Sequence, residues 1–402
     1  MKKIENILNV SQNFFIRGGS DSYFLSLGQL MSERGHNVVP FCGKSEKDLP
    51  SEWSRYFPRA PDFDSPSTAD ILRYHYSFAA RRNLQSLLSA QKIGIAHLHI
   101  YYGKLTSSIL PVLKNENIPI VQTVHDYKLL CPVYTCSRNN LPCEDCGGRE
   151  YWRALTNKCN RGSYVRSALS MTEAYTSRWL GSVESIDRFI AVSQFFSNRM
   201  EANGIDSAKI SVVPNFVDIA RFSPAAEIGR YFIYFGRMER SKGIATLLKA
   251  FSTIPDIPLI LVGEGSFLEE AKAISASMAC SNITFLGFKR GEELYKLVAG
   301  AVCSILPAEA YENCPMSILE AFGLGRPVIG ARIGGIPELI DHGVDGYIFN
   351  PGDVDSLREY VKEVWYGRRN SEMGRAARFK AERKFSADAH YKKICEVYEK
   401  VN

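Results

Sequence analysis

The stretch RYFIYFGRMERSKGIATLLKAFSTIPDIPLILVG, residues 230–263, predicts a strand, a helix and a second strand in succession. Its two ends are short runs of apolar residues, which are typical of buried strands. The part between them, from residue 242 to 254, has apolar residues at helical spacing. Strands joined through a helix pair in parallel, with a right-handed crossover. Residues 230–263 therefore predict a β-α-β unit.

The same alternation continues on both sides of this unit. The strands that we predict are residues 5–10, 37–42, 93–100 and 118–125 in the first half, and residues 282–288, 301–307, 327–331 and 347–350 in the second. Helices are predicted between them, including Ser22–Arg34 and a helix near 104–115, and residues 377–402 are also predicted to be helical. The fold class that follows is α/β, with two doubly wound Rossmann-like domains and a ligand-binding cleft between them.

The two runs meet near residues 212–224, where two prolines suit a linker. The domains that we predict are residues 1–215, with a Cys-rich insertion at about 131–160, and residues 225–385. A last helix, residues 386–402, is expected to pack back toward the first domain.

The composition indicates a soluble globular protein. Of the 402 residues, 45% are hydrophobic and 23% are charged. No uncharged apolar stretch reaches about 18 residues, so a membrane-spanning helix is not expected. The first ten residues, MKKIENILNV, contain an apolar run too short and interrupted for a signal peptide. We therefore expect a cytoplasmic protein.

The net charge of +6 is unevenly distributed. Residues 1–200 contain 24 cations against 17 acids, whereas residues 201–402 contain 25 against 26. A basic first half suggests an anionic partner, which could be a nucleic acid, a phosphate-bearing substrate or a membrane surface. The alternative is a surface whose charges serve only solubility.

Two loops at predicted strand ends carry candidate phosphate ligands. Gly18 and Gly19 lie in a turn between the first strand and the first helix, where backbone amides can approach an anion. Arg237 directly follows a strand and Lys242 begins a helix, so both cations can converge on a phosphate group. The alternatives are a purely structural tight turn and two solvated loop cations.

Residues 309–330, EAYENCPMSILEAFGLGRPVIG, place Glu312 in a loop and Glu320 in the helix that follows. A carboxylate accepts two hydrogen bonds and so suits vicinal hydroxyls, as those of a ribose. The amides of Met316 and Ser317, ahead of the helix, could hold phosphate oxygens. Taken alone, the two carboxylates could equally be a loop charge and a solvent-facing helix residue.

With these residues, a set of motifs occurs in a fixed order along nearly the whole chain. They are GGSDSYFLSLGQLMSERGH, HLH, VQTVHDY, IAVSQF, VVPNFVD, GRMERSKG, LVGEGS, TFLGF, the Glu312–Glu320 pair with AFGLGRPVIG, and GGIPELI. This ordered set resembles the retaining glycosyltransferases of family 4, which have the GT-B fold. The resemblance implies transfer of a sugar from a UDP- or GDP-sugar to a saccharide or lipid-linked acceptor, in surface polysaccharide or glycolipid synthesis.

The resemblance also implies a role for each candidate residue. The donor diphosphate would be bound by Arg237, Lys242, Gly18, Gly19, Met316 and Ser317. Glu320 would bind the ribose, and the main chain near Phe288 would bind the base. Glu312 would contact the transferred sugar near its anomeric centre, and His125 of the HDY motif its far hydroxyls on the acceptor side. No cofactor is expected, because the cations would neutralise the leaving group.

Two departures from the family pattern affect these contacts. Asn313-Cys314-Pro315 replaces a glycine-rich turn, and proline has no N–H to offer a phosphate. Asp21 stands where relatives more often have Glu. The chemistry would pass through an oxocarbenium-like state with retention, and domain closure about residues 212–224 would exclude water.

Five of the ten cysteines fall within residues 131–159. The pair Cys143 and Cys146 has metal-ligand spacing, and Cys131 and Cys159 could complete a four-thiolate structural zinc site. The alternative is a set of reduced cysteines in an insertion loop.

Residues 151–200 contain seven cations against three acids, with Tyr, Trp and Arg interleaved on a predicted helix over residues 151–180. This mixture suits peripheral contact with a membrane that carries a lipid-linked acceptor. The alternative is a helix that packs its apolar residues onto the domain.

Other functions are also compatible with the sequence. A GT-B relative could act as a nucleotide-sugar epimerase, which needs no acceptor, or as a phosphorylase, which consumes phosphate. A zinc-bearing nucleic-acid-binding protein would account for the basic half and the cysteines. It would leave the Glu312–Glu320 and Arg237–Lys242 pairs unexplained, so we expect no nucleic-acid partner.

Overall fold

The structure is a computed structural model that describes residues 5–61, 66–225, 229–367 and 369–401. The chain forms two compact units. Unit 1 comprises Met1–Cys136, Glu144–Val213 and Tyr391–Asn402, and unit 2 comprises Ser137–Cys143 and Pro214–His390.

Unit 1 is built on a six-stranded sheet whose neighbouring strands are all parallel. Its strands are β1 Asn6–Val10, β2 Asn37–Phe41, β3 Ile95–Leu98, β4 Ile120–Val124, β7 Arg188–Ala191 and β8 Ile210–Val212, in the spatial order β2-β1-β3-β4-β7-β8. Strands β3 and β4 are buried along their whole length. Burial on both faces explains why they read as nearly continuous apolar runs.

Seven helices lie in the described part of unit 1 before residue 213. They are α1 Gly19–Glu33, α2 Thr68–His75, α3 Phe78–Ala90, α4 Leu110–Asn115, α5 Arg153–Thr156, α6 Tyr164–Trp179 and α7 Gln194–Ala202. At the starts of α2, α3, α6 and α7, a serine hydroxyl accepts a hydrogen bond from a backbone amide. Each serine thus satisfies an N–H group that has no partner within its helix.

Unit 2 repeats the architecture with a second parallel sheet. Its strands are β9 Phe232–Phe235, β10 Leu259–Val262, β11 Ile283–Phe285, β12 Cys303–Leu306, β13 Val328–Ala331 and β14 Gly346–Phe349, in the order β11-β10-β9-β12-β13-β14. A small antiparallel pair, β5 Ser137–Arg138 and β6 Leu141–Pro142, is also assigned to this unit.

The helices that follow in the chain are α8 Ile244–Ser252, α9 Leu268–Ser277, α10 Gly291–Gly300, α11 Met316–Gly323, α12 Ile336–Leu339, α13 Val354–Tyr366, α14 Asn370–Lys384 and α15 Ala387–Glu399. From Tyr391 onward α15 belongs to unit 1. There the Tyr398 hydroxyl lies 2.7 Å from His97 Nδ1, and the Tyr391 hydroxyl lies 2.9 Å from His36 Nε2.

Each sheet has a point at which the strand order reverses, between β1 and β3 in unit 1 and between β9 and β12 in unit 2. Open α/β sheets generally bind their ligands outside the carboxyl ends of the strands at such a point. The candidate residues Gly18, Arg237 and Glu312 lie in the loops that follow β1, β9 and β12, and Gly19 is the first residue of α1.

The predicted α/β class with two doubly wound parallel sheets is confirmed. The single helix predicted over residues 151–180 is wrong: the chain is helical in α5 and α6 but not between Asn157 and Ser163. Lys158, Arg161 and Gly162 adopt positive φ angles there, which a continuous helix excludes. Among the described helices, none combines the length and apolar character needed to cross a bilayer.

Candidate active site

Two of the cations that follow β9 in unit 2 are candidate phosphate ligands. Arg237 is exposed, and in the described residues its guanidinium has neither a hydrogen bond nor an ion pair. The Tyr234 hydroxyl donates to the Arg237 carbonyl over 2.7 Å and fixes the turn that presents this side chain. Lys242 is mostly buried just before α8, and its ammonium group pairs with the carboxylate of Glu312. Of the two predicted phosphate-binding residues, Arg237 has no protein partner among the described residues. Lys242 pairs with Glu312, the residue predicted to contact the transferred sugar.

The close approach of the two loops depends on Gly243. This residue has a φ of 70°, and a Cβ added to it would lie 1.8 Å from the carbonyl oxygen of Pro307. No side chain can be accommodated at that distance. The absence of a side chain brings the loop after β12, which leads to Glu312, against the start of α8.

Glu312 is held from the other side by the loop after β13. The Gly335 amide donates to the Glu312 carbonyl over 2.7 Å. Gly334 has a φ of 59°, and a Cβ on it would lie 2.2 Å from the same carbonyl oxygen. The backbone of Glu312 is thus fixed, while its carboxylate points to Lys242.

Helix α11 begins at Met316 with Pro315 as its N-cap, and no side chain caps it. The Ile318 amide donates to the Pro315 carbonyl over 3.2 Å. The amides of Met316 and Ser317 come before any intrahelical acceptor, so they are available to an anion.

Glu320 lies one turn into α11 and is half-buried. In the described residues no side chain hydrogen-bonds to its carboxylate. Burial raises the pKa of Glu320 to about 7, because the charged form loses hydration. Burial, and to a lesser extent the charge of Glu320, raise the pKa of the neighbouring Tyr295.

Phe288 lies beyond β11 and is 60% exposed. The preceding carbonyl, of Gly287, accepts from the Gly263 amide over 2.8 Å, so the backbone is anchored beside the loop that follows β10. This places Phe288 on the same carboxyl edge of the sheet as Arg237.

In the glycine turn of unit 1, backbone amides already donate hydrogen bonds to a side chain of the following helix, α1. The amides of Arg17 and Gly18 both donate to Asp21 Oδ2 over 3.1 Å, and Asn13 Nδ2 donates to Asp21 Oδ1 over 3.2 Å. Burial raises the pKa of Asp21, against the effect of these hydrogen bonds. The Gly18 amide is therefore committed to Asp21, and the Gly19 amide, the first of α1, is the better candidate for an anion.

His125 directly follows β4 and forms part of a buried aromatic cluster. Its ring lies parallel to that of His99, with centroids 5.4 Å apart, and edge-on to Tyr23 at 4.8 Å. Burial lowers the pKa of His125 to about 3, so the imidazole is neutral at physiological pH.

The hydrogen bonds behind His125 define its tautomer. Asn9 Nδ2 donates to the Phe24 carbonyl over 3.3 Å, which leaves Asn9 Oδ1 as the acceptor for His99 Nε2 at 2.9 Å. His99 is neutral, because burial lowers its pKa, and so its Nδ1 accepts. The atom 3.1 Å away, His125 Nε2, must then carry the proton, and His125 Nδ1 carries the lone pair.

His99 and Asn9 are site residues that the sequence reasoning did not single out. Residues 97–99 read His-Leu-His, and alternation along a strand places both imidazoles on one face. The two rings stack with centroids 4.5 Å apart. This spacing, at the carboxyl end of a strand next to the HDY strand, was the signal that could have identified His99.

The predicted zinc site is wrong. Within the described residues no group of three or more His, Cys, Asp or Glu side chains could hold a metal ion. Cys131 instead hydrogen-bonds with Cys136, which lowers the pKa of Cys131 to about 6. Cys146 is buried in an apolar cluster with Tyr151, Ala154 and Ala174, and Cys159 packs against that cluster. The four predicted ligands, Cys131, Cys143, Cys146 and Cys159, thus do not converge.

Comparison with known proteins identifies the family. Residues 17–221 match the model described as "Glycosyltransferase Family 4", and residues 218–380 match "Glycosyl transferases group 1". The chain belongs to glycosyltransferase family 4. This is a family of retaining enzymes, and the members generally need no metal ion for catalysis. The predicted family and the GT-B fold are confirmed.

Among individual family 4 relatives, the chain is 30% identical over 155 residues to the sulfoquinovosyl transferase SQD2 of Arabidopsis thaliana, across 38% of this chain and 30% of that protein. It is also 30% identical over 222 residues to a glycogen synthase of Mycobacterium tuberculosis, across 52% of each chain. The matches thus span about half or less of these relatives. The solved structure of Anabaena HepE in complex with UDP has the same fold, with a TM-score of 0.67 at 16% identity, covering 98% of this chain and 100% of that one.

Proposed function

We propose that this protein transfers a sugar from a nucleoside-diphosphate donor to a saccharide or lipid-linked acceptor, with retention of the anomeric configuration. The observation that carries the proposal is the arrangement at the strand-order reversal of unit 2. There the Lys242–Glu312 ion pair lies in the two loops that follow β9 and β12, beyond the exposed Arg237. Membership of family 4 supports the same reaction.

Under this proposal the diphosphate of the donor lies against the cations and the start of α11. Arg237 supplies a planar fork of donors, which suits phosphate oxygens. Lys242 adds a compact charge, and the amides of Met316 and Ser317 add two hydrogen-bond donors. These groups stabilise the negative charge that develops on the leaving nucleoside diphosphate.

The carboxylates bind the two ends of the donor. Glu320 accepts hydrogen bonds from the ribose hydroxyls, and Glu312 accepts them from the transferred sugar near its anomeric carbon. The main chain at Phe288 contacts the base. Because Glu312 already pairs with Lys242, the bound sugar and the diphosphate would lie on either side of one charge-neutral pair.

Unit 1 contributes the remaining groups. We propose that His125, through its neutral imidazole, hydrogen-bonds to hydroxyls of the transferred sugar, and that the Gly19 amide contacts the donor phosphate. The domain with residues 1–215 would serve the acceptor and the domain with residues 225–385 the donor. The HepE complex with UDP, which shares this fold, supports a uridine nucleotide as the first donor to test.

The experiment is thermal unfolding of the full chain against a panel of UDP-, GDP- and other nucleotide-sugars. A ligand at 100 times its Kd stabilises a protein by about 2.7 kcal/mol, which shifts Tm visibly. We expect one donor to shift the wild type and to shift Glu320→Ala much less. Glu359→Ala, an exposed position on α13, is the matched control and should behave as wild type. A folded wild-type protein that no member of the panel stabilises would contradict the proposal.

A second measurement separates transfer from the other chemistries of this fold. Release of nucleoside diphosphate is followed with and without a mixture of saccharide acceptors. Transfer predicts that the acceptor accelerates release. An epimerase would convert the donor without an acceptor, and a phosphorylase would require inorganic phosphate.

A further inference from the structure

Helix α6 has mostly polar residues at its buried positions and several large apolar residues on its exposed side. The buried positions include Ser167, Ser170, Glu173 and Ala174, of which three are polar or charged. The exposed side carries Tyr164, Val165, Tyr175 and Trp179, of which Trp179 is 85% and Val165 71% exposed. A helix on the surface of a soluble domain normally has the opposite arrangement.

The exposed apolar residues share one side of the helix. At about 100° per residue, Tyr164, Tyr175, Trp179 and Val165 fall within a sector of about 100°. Helix α2 extends this surface, because His75 Nε2 lies 2.8 Å from Thr172 Oγ1 on the same side of α6. Leu72, one turn before His75, is 72% exposed. We call the surface of Leu72, Tyr164, Val165, Tyr175 and Trp179 the α6 face.

The exposed charges around the start of α6 are positive, whereas at the end of the helix Arg178 pairs with the exposed Glu184. Between Asn157 and Leu180 the only acid is Glu173, which is buried and paired with Lys128. Lys158, Arg161 and Arg166 are exposed. The Lys158 ammonium lies 4.4 Å from the centre of the Tyr164 ring, so this cation is part of the surface itself.

We propose that the α6 face docks on a membrane surface that carries anionic lipid headgroups. Trp and Tyr side chains favour the boundary between headgroups and acyl chains, and exposed Val and Leu side chains gain from burial below it. The flanking cations complement the negative surface of such a membrane. The surface lies on unit 1 and uses none of the residues assigned to the donor, so the inference does not depend on the proposed function.

The polar inner side of α6 explains how the helix can expose its apolar residues. Glu173 pairs with Lys128, which also donates to the Pro132 carbonyl over 2.8 Å. Ser107 and Ser177 hydroxyls lie 2.5 Å apart, and Asn160 Nδ2 donates to Ser170 Oγ over 2.8 Å. These polar contacts, together with the packing of Ala174 and Met171 in the apolar cluster of Cys146, hold the helix on unit 1, and its exposed apolar residues remain available to a partner.

The test is co-sedimentation of the full chain with vesicles of phosphatidylcholine alone or with phosphatidylglycerol added. We expect binding at least tenfold tighter to the anionic vesicles at low salt, and a blue shift of tryptophan emission on binding. The variant Val165→Ser/Trp179→Ser should lose binding at least tenfold to both vesicle types, and should also lose the emission shift. Lys158→Glu/Arg166→Glu should lose only the preference for phosphatidylglycerol.

Matched controls come from exposed positions of unit 2. Phe379→Ser removes a 57% exposed aromatic residue, and Lys296→Glu reverses an exposed cation. Both should bind vesicles as the wild type does. Circular dichroism and Tm of every variant establish that it is folded.

Three results would overturn the proposal. The wild type could stay in the supernatant with both vesicle types, or the α6 variant could bind as tightly as the wild type. The third result would be a wild type that does not bind vesicles but self-associates in sedimentation velocity, with the self-association lost in Val165→Ser/Trp179→Ser. The α6 face would then be an interface between copies of the chain.

Discussion

His99 Nδ1 lies 3.1 Å from His125 Nε2, and through His99 the candidate catalytic residue His125 is connected to the buried side-chain amide of Asn9. Asn9 fixes the proton of His99 on Nε2, and His99 in turn fixes the proton of His125 on Nε2. Asn9 and His99 are therefore positioning residues, which would act on the substrate through His125.

Replacing Asn9 by Asp tests this relay. A carboxylate 2.9 Å from His99 Nε2 would favour the doubly protonated ring of His99, whose Nδ1 could no longer accept from His125. With His125 misaligned, we expect kcat to fall about 100-fold while the KM for the donor changes little. The imidazole nitrogen shifts in an NMR spectrum should report the changed tautomer.

The matched substitution is Asn37→Asp, at an exposed position on β2, and it should leave kcat and the imidazole shifts unchanged. A folded Asn9→Asp protein with wild-type kcat would show that the relay has no part in catalysis.

Donor binding should depend on pH through Glu320. The ribose hydroxyls donate to a carboxylate, so the ionised form of Glu320 binds the donor. Because burial raises the pKa of Glu320 to about 7, donor affinity should fall as pH decreases below 7, by up to about tenfold per pH unit. Isothermal titration between pH 5.5 and 8.5 measures this, and Glu320→Gln should bind weakly with no such slope. Equal slopes in the two proteins would assign the pH dependence to another group.

The same shift has a consequence for stability. Since the folded-state pKa of Glu320 is above the usual value of 4.5, the folded protein holds a proton that the unfolded chain releases between about pH 4.5 and 7. Relative to Glu320→Gln, the wild type should therefore be most stable below pH 4.5 and should lose stability as pH rises to about 7. Denaturant unfolding of both proteins across this range checks the sign. A wild type that gained stability over the variant as pH rises would contradict the assigned shift.

Most strands of the two parallel sheets could be predicted from the sequence because they are short and largely buried apolar runs, but β7 and the half-buried β8 were not predicted. The predicted strand at 118–125 is found as Ile120–Val124, and the second strand predicted within residues 230–263 as Leu259–Val262. Helices α1 and α8 were also predicted, as Ser22–Arg34 and residues 242–254, whereas the capped helices α2, α3 and α13 were not. The break between α5 and α6 was not predicted either, because it depends on positive φ angles at Lys158 and Arg161, residue types that carry no such preference.

The site could be predicted only in part. Arg237, Lys242 and Glu312 stand next to recognisable strands, and their position at a carboxyl edge follows from the parallel topology. The ion pair between Lys242 and Glu312 joins residues 70 positions apart, and periodicity does not specify it. The zinc prediction was wrong because cysteine spacing reports proximity along the chain, whereas Cys146 turns into an apolar cluster.

The Lys242–Glu312 pair should be strongly coupled in catalysis. Lys242→Met removes a charge from the proposed diphosphate site and leaves Glu312 without its partner, so we expect kcat/KM to fall roughly 10²–10³-fold. Glu312→Gln should cost a similar factor. Because each residue positions the other, the double variant should lose much less than the product of the two losses. Arg240→Met, which breaks an exposed ion pair with Glu270, is the matched control. Losses that multiply in the double variant would show that the two residues act independently.

The last prediction separates the conformation of a glycine from the contact that it permits. Gly334 and Gly352 both have positive φ angles, of 59° and 76°, and alanine at either should cost about 1–2 kcal/mol in unfolding free energy. Only at Gly334 would the new Cβ meet protein, at 2.2 Å from the Glu312 carbonyl oxygen, whereas Gly352 has nothing within 4 Å. Gly334→Ala should therefore displace Glu312 and lower kcat/KM at least tenfold, while Gly352→Ala keeps its activity. Denaturant unfolding and donor kinetics of both variants provide the comparison. Equal activity in the two would mean that the backbone of Glu312 need not be fixed by the loop after β13.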